Sequence, residues 1–418
     1  LSMHIGLVLA TAFISIATGF LAGIYPAYYM TSFPPALVLK GSFGLSPKGR
    51  QLRNALIGVQ YVASFGLIIG ATFMYLQNYY MQNTPLGYDK DEIIITNMNN
   101  NIRKSRDAFA SQVKSFSGIE EVTYAEMLLS SQDQYMGWGR KYRDKDIQFQ
   151  CLPVEPSFLK VMNVKISEGR DFREEDKAKR YGTFVFNERA RTEYGLEIGS
   201  LIDSMEIVGF MPDVKFASFR TEVTPMAFFV WGTNNWGNQP NYAYIKVKAG
   251  SDLRGAMQHV KTTLQSFDPE YPFNVRFFDE VLNGLYEKER SLSSLITLFS
   301  LIAIFISVVG VFGLVVFDSE YRKKEIGIRK VLGSTTEEII VMFNKTYIRI
   351  LCVCFVLGAP IAGYVVHRWL ENFAYKTPMY WWVYLIAFAI IAVITILTVT
   401  FQNWRAANEN PVHSIKNE

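Results

Sequence analysis

The residues carrying the most chemical information lie between 322 and 335. There Arg322, Glu325, Arg329 and Lys330 alternate with Ile326, Ile328, Val331 and Leu332, and Gly327 and Gly333 punctuate the run. Fixed charges of both signs around a narrow apolar stripe do not break bonds. They dock: the charges set register and the apolar side chains enter a groove on a partner. A basic amphipathic helix resting on a membrane is the plainer use of the same pattern. Gly333 suits the left-handed residue that ends a helix. Ser334-Thr335-Thr336-Glu337 reads as a capping box opening the next one.

Bond-making chemistry has few candidates. The sequence contains no Gly-x-x-x-x-Gly-Lys-(Ser/Thr) phosphate loop, no Gly-x-Ser-x-Gly elbow and no His-Glu-x-x-His pair. His4, His259, His367 and His413 are far apart. Cys352 and Cys354 lie two apart in a helical stretch, on different faces, and Cys151 is a lone thiol. No catalytic, cofactor-binding or metal-binding residue is therefore assigned. Trp138, Trp231 and Trp236 are either core residues of the large middle segment or the lining of an apolar contact site.

The elements that must position the 322–335 segment are apolar. Half of the 418 residues are hydrophobic, 19% are charged and mean hydropathy is +0.10. That composition fits membrane spans joined to one soluble domain. A net charge of +4 gives no case for nucleic acid. Five stretches are free of charge over a spanning length or nearly so: cores at 5–29 and 55–76, then 291–317, 344–366 and 377–404. Tyr75, Tyr79 and Tyr80 close the second, Tyr380, Trp381, Trp382 and Tyr384 open the fifth, and Trp404 ends it, as expected of rings at headgroup level. Gly19-x-x-x-Gly23 and Gly66-x-x-x-Gly70 offer close helix approach, and Pro26 and Pro360 are candidate kinks.

Basic residues orient these spans. Lys40, Lys48, Arg50 and Arg53 crowd the first short loop and Arg322, Lys323, Lys324, Arg329 and Lys330 the third, while the loop at 371–380 holds only Lys376. The basic loops are therefore cytoplasmic, and residues 80–290 lie outside with the 371–380 loop. On that topology Leu1 begins outside, so upstream sequence is expected. Pro35 to Lys40 and Pro411 to Lys416 share the pattern Pro-x-x-x-(Leu/Ile)-Lys just past a span. The expected organisation is thus 1–41 as the last span of a preceding unit, 52–79 as a span, 80–290 as the outside domain, and 291–418 as a three-helix transmembrane domain carrying the 322–335 element.

Within the outside domain, 93–96, 122–125, 242–247 and 273–278 read as strands. Stretches 101–116 and 252–267 read as helices, the latter capped by Ser251. These form two βαβ-like units around an inserted, β-rich lobe at about 155–235. A helix at 279–292 is expected to run straight into the third span. The fold class is an α-helical membrane bundle plus an α+β extracytoplasmic domain.

The run Arg322-x-x-Glu325-Ile326-Gly327-Ile328-Arg329-Lys330-x-Leu332-Gly333-Ser334 resembles the signature of MacB/FtsX-type ABC transporter permeases. Leu52-Arg53-Asn54-x-Leu56, Leu86-Gly87-Tyr88-Asp89-Lys90, Glu168-Gly169-Arg170-Asp171-Phe172, Phe186-Asn187-Glu188 and Ala22-Gly23-Ile24-Tyr25-Pro26-Ala27 are similar to other landmarks of that family. The resemblance implies that Arg322, Glu325, Ile326, Gly327, Ile328, Arg329, Lys330, Leu332 and Gly333 meet a cytoplasmic ATPase subunit, which would hold the ATP and Mg that this chain lacks. It implies a second permease unit, membrane lipid and a periplasmic protein as further partners, in a bacterial inner membrane. ATP-driven motion would pass through the spans to the periplasmic domain, either to export or extract a substrate or to regulate a cell-wall hydrolase. A membrane receptor is the reading from another class. It would require a cytoplasmic signalling domain, which no loop here is long enough to hold.

Overall fold

The computed structural model describes residues 12–13, 16–17, 20, 47–130, 136–215, 219–234, 239–321, 328–329 and 332–407. Two compact units are distinguished, Leu1–Gln60 and Tyr61–Glu418. In the first, the described residues are helical, and those from Pro47 onward begin α1 (Pro47–Asn83). The expected span at 5–29 falls almost entirely outside the described residues.

The second unit takes up the rest of α1 and proceeds through β1 (Ile93–Asn97), α2 (Asn100–Lys104), α3 (Arg106–Lys114) and β2 (Ile119–Ala125). An inserted lobe follows: β3 (Met136–Tyr142), β4 (Lys145–Pro153), α4 (Phe158–Val161), β5 (Glu168–Gly169), β6 (Thr183–Asn187), α5 (Glu188–Tyr194), β7 (Leu201–Ile202), β8 (Met205–Met211) and β9 (Met226–Val230). The chain then returns through β10 (Tyr242–Val247), α6 (Leu253–Phe267), β11 (Arg276–Phe277) and α7 (Phe278–Leu285). It ends in α8 (Glu287–Tyr321), α9 (Thr336–Leu370) and α10 (Trp381–Ala407).

Among the described residues four helical stretches are long and apolar enough to cross a membrane: Ala55–Asn83, Arg290–Gly313, Thr336–Leu370 and Trp381–Arg405. Pro360 is accommodated inside α9 without ending it.

The first sheet has the order β11-β1-β10-β2, all neighbours antiparallel. The two βαβ units are therefore split and interleaved: β10 separates β1 from β2, and β1 separates β10 from β11. Alternation along the strands serves two cores. Ile94, Ile245 and Val247 face Phe109, Val113, Val260 and Leu264 of the helices. Ile93, Ile95 and Tyr244 face the inserted lobe, where Val185, Val208 and Phe228 complete the layer. The lobe is a seven-stranded mixed sheet, β3-β4-β9-β6-β8-β5 with β7 beside β8. Its far face buries Trp138, Phe149, Phe184, Phe186 and Phe229 against Ala190 of α5. The lobe's sheet takes in Met136–Pro153 as well as the strand-like runs read at 155–235.

Several local expectations are corrected. The 101–116 helix is two helices that meet at Ser105. Asp252, not Ser251, caps α6, because its carboxylate accepts from the Gly255 N–H at 3.0 Å. The strand read at 273–278 is only the two residues of β11. The helix expected to enter the membrane unbroken is interrupted at Tyr286, between α7 and α8. No described atom lies within 4 Å of a side chain built at Gly66 or Gly70, so neither is a close-approach point. Gly358 takes that role: a Cβ there would stand 3.3 Å from the Val62 backbone, and one at Gly363 would stand 2.7 Å from the Tyr384 hydroxyl.

Candidate functional site

Of the residues expected to form the docking segment, Ile328, Arg329, Leu332 and Gly333 are described; Arg322, Glu325, Ile326, Gly327 and Lys330 lie outside the described residues. The described part has a definite helix end. The Leu332 N–H donates to the Ile328 carbonyl at 3.0 Å and the Ser334 N–H to the Arg329 carbonyl at 2.9 Å. Gly333 between them has φ +98°, the left-handed residue such a closure requires. The next helix starts one residue later than the sequence suggested. Thr335 accepts from the Glu338 N–H, and the Glu338 carboxylate accepts from the Thr335 N–H, each at 3.2 Å. The apolar side chains here are uncovered, Ile328 at 55% and Leu332 at 80% exposure.

The other end of the bundle carries a site that sequence reasoning missed. Phe219, in the loop between β8 and β9, is 1% exposed. Its ring centroid lies 6.2 Å from Tyr80 of α1, 6.0 Å from Tyr286 at the α7–α8 break and 5.9 Å from Tyr375 in the loop after α9. Backbone bonds fix the plug: the Phe219 N–H donates to the Tyr286 hydroxyl at 3.3 Å, and the Tyr375 N–H donates to the Phe219 carbonyl at 3.2 Å. The Val223 N–H donates to the Tyr375 hydroxyl at 3.2 Å. Beneath it Gln77 of α1, fully buried, donates to the Tyr375 carbonyl at 3.0 Å and accepts from the Thr377 N–H at 2.8 Å.

The inserted lobe is thereby joined to the outer ends of three spans. Tyr80, read as a headgroup-level ring, is committed to this plug, while Tyr75 and Tyr79 are 64% and 57% exposed. The local signal was a buried-type Gln late in an apolar span; nothing local marked Phe219.

Between the two ends the spans meet through hydroxyls. Ser64 of α1 pairs with Ser307 of α8 at 2.8 Å, and Tyr61 with Thr395 of α10 at 3.1 Å. The Ser300 hydroxyl donates to the Leu67 carbonyl at 3.0 Å, and Asn344 of α9 donates to Thr400 at 2.9 Å.

The outside domain offers less. A cavity of about 520 Å³ opens beside β3 and β4, lined by Gly137, Gly139, Gln148, Gln150 and Tyr194 among others. Trp138 is buried, Trp231 is half-buried with its N–H donating to Glu126 at 3.4 Å, and Trp236 lies outside the described residues. Burial pushes the Glu126 carboxyl above its usual range, opposed by that Trp231 bond. Cys151 is buried and desolvation raises its thiol, which suits packing and not nucleophilic attack. Among the described residues no group of three or more His, Cys, Asp or Glu is placed to hold a metal.

An α/β domain inserted between apolar helices, with a split βαβ core and a plug onto the span ends, defines a multi-pass membrane protein with an extracytoplasmic domain. Two family models match it: the MacB-like periplasmic core domain over residues 56–263, and the FtsX-like permease C-terminal domain over residues 297–411. The chain belongs to the MacB/FtsX-type permeases.

Among curated relatives, the macrolide export ATP-binding/permease protein MacB of Chromobacterium violaceum is 23% identical over 230 residues, which covers 52% of this chain and 35% of that protein. MacB of Escherichia coli K12 is 23% identical over 233 residues with the same coverage. The chain thus spans about a third of the length of these relatives. Among solved structures, the periplasmic region of MacB from Actinobacillus actinomycetemcomitans aligns at TM-score 0.35 and 13% identity, covering 49% of this chain and 97% of that one. The extracellular domain of YknZ, a noncanonic ABC-type transporter from Gram-positive bacteria, aligns at TM-score 0.33 and 11% identity, covering 44% and 99%.

Proposed function

We propose that this chain is the permease subunit of an ABC transporter of the mechanotransmission type, coupling ATP hydrolysis on a separate cytoplasmic ATPase to movement of its outside domain. The observation that carries the reading is the pair Ile328 and Leu332, uncovered on a firmly closed helix end at the opposite end of the spans from the domain. An apolar pair presented there, among Arg322, Glu325, Arg329 and Lys330 in sequence, suits a groove on a partner protein. ATP and Mg belong to that partner, and this chain performs no catalysis.

In this reading residues 52–79 and 291–418 are the motor-linked bundle, residues 80–290 are the periplasmic domain, and 1–41 end a preceding unit. The setting is a bacterial inner membrane, with lipid around the spans, a second permease unit beside them and export or extraction of a periplasmic or membrane substrate as the output. The Phe219 plug supports transmission, because motion of the span ends reaches the lobe through Tyr80, Tyr286 and Tyr375.

The test is gentle detergent purification of the full-length protein from its own cells beside a Glu325→Ala/Arg329→Ala version. A P-loop ATPase that accompanies the wild type, hydrolyses ATP and is lost with the double variant supports the coupling. If no ATPase accompanies either form, the transporter reading is refuted.

A further inference from the structure

Lys215 lies at the seam between domain and membrane. Its backbone is pinned from both sides: its N–H donates to the Leu86 carbonyl at 2.8 Å, and its carbonyl accepts from the Tyr88 hydroxyl at 3.3 Å. The side chain's course is therefore set by the fold. Its ammonium stands 4.9 Å from the Tyr375 ring centroid and 5.2 Å from that of Phe219. Two aromatic faces hold a cation but do not neutralise it. Among the described residues no carboxylate is in ion-pair reach of Lys215, and desolvation lowers its pKa with no acidic neighbour opposing it. The next cation in the chain, Arg220, is exposed and sits 4.8 Å from the Phe373 ring centroid.

The depth of this group follows from what holds it. Phe219 packs on Tyr80, three residues before the end of an apolar span, and Tyr375 follows a second span that ends at Leu370. Trp381 opens a third span and is 72% exposed. Span ends ringed by aromatics mark the headgroup level. A partly desolvated ammonium at that level, cupped by rings and with no acid in reach among the described residues, is short of one anion. The anion at hand in every bilayer is phosphate.

We propose that Lys215 binds the headgroup phosphate of an anionic phospholipid in the leaflet that faces the outside domain. The lipid would then rest beside half-buried Tyr375, at the rim of the plug that joins the lobe to the spans. This does not depend on the ATPase reading; it requires only that the spans lie in a bilayer.

The test uses the full-length protein in nanodiscs of phosphatidylglycerol mixed with phosphatidylcholine, released into mild detergent and weighed by native mass spectrometry. Wild type should retain phosphatidylglycerol in preference to phosphatidylcholine. Lys215→Gln should retain about fivefold less, the value of one surface cation, while Lys215→Arg and a Lys141→Gln control at the β3–β4 hairpin should match wild type. Equal retention by Lys215→Gln overturns the proposal. So does displacement of the lipid by millimolar inorganic phosphate, which would mark a free-anion site. Should Lys215→Gln fail to fold, acylation of the Lys215 amine in wild type decides the matter: protection in phosphatidylglycerol discs over pure phosphatidylcholine discs supports the site, and equal labelling overturns it.

Discussion

Replacing Gln77 by Leu isolates the clamp between α1 and the loop after α9. The substitution nearly conserves volume and removes both hydrogen bonds, to the Tyr375 carbonyl at 3.0 Å and from the Thr377 N–H at 2.8 Å. The two losses are unequal. Thr377 is 4% exposed, so its stranded N–H costs about 1–3 kcal/mol. Tyr375 is half-buried, so its carbonyl regains water and adds about 0.5–1 kcal/mol. Together they lower the local opening free energy by roughly 1.5–4 kcal/mol, which at 1.36 kcal/mol per decade is roughly 10- to 900-fold in exchange protection. Hydrogen exchange with mass spectrometry on the 371–380 peptide of the detergent-solubilised protein reads this directly. The middle of α9 should keep its protection. A change below about threefold at Thr377 would refute the claim that Gln77 holds this loop against the span.

Three further outcomes are expected. Gly333→Val forces a β-branched residue into φ +98°, at a cost of about 1–2 kcal/mol; it should misplace the helix end and, if the proposed ATPase coupling holds, lower stimulation of that ATPase several-fold while the melting temperature of the outside domain stays unchanged. Asp176 is buried, and although burial alone raises its pKa, the paired bonds from Arg170, the Arg173 N–H and the nearby Lys179 outweigh it and hold the carboxyl below its ordinary value. A depressed carboxylate stabilises the fold above its unfolded pKa and loses that contribution as pH falls through the folded one. Asp176→Ala should therefore cost about 2–4 kcal/mol at neutral pH and progressively less in acid, by denaturant melts at several pH values. Gly358→Leu, driven against the Val62 backbone, should lower the detergent melting temperature by an overpacking cost of about 1–3 kcal/mol, whereas Gly66→Leu should not.

What the sequence disclosed followed from how local the cause was. The last four of the five span positions, the left-handed Gly333 and the strands read at 93–96 and 242–247 depend on hydropathy or on one residue's backbone freedom, and each was legible. The capping residues Asp252 and Thr335 were displaced by one position because adjacent Ser, Thr and Asp all fit a cap, and only the backbone decides among them. The break at Tyr286 carried no local signal, and the contact its hydroxyl makes, accepting from the Phe219 amide, is distant in sequence. Gly66 and Gly70 matched a packing motif, yet the seams that formed use Ser64, Ser307, Tyr61 and Thr395, since hydroxyl pairing between helices is a matter of rotation that spacing alone does not reveal. Phe219 is one of many phenylalanines until the fold carries its loop to the membrane.

The place where the lobe is inserted has a consequence for how such chains can be rebuilt. Ala125 and Tyr242 are directly opposed on neighbouring antiparallel strands, so the lobe leaves and re-enters the core sheet at adjacent points. In effect β2 and β10 are the arms of a hairpin whose turn has been replaced by a folded body. A tight turn could span that gap without disturbing the ladder. It would also strip the cover from Ile93, Ile95 and Tyr244, so excision calls for polar substitutions on that face. The same cut removes Phe219 and with it the lobe's hold on the span ends. Grafting a lobe from one relative onto another therefore transfers two surfaces as one cassette: the face that lies on the core sheet and the peg that seats in the membrane bundle.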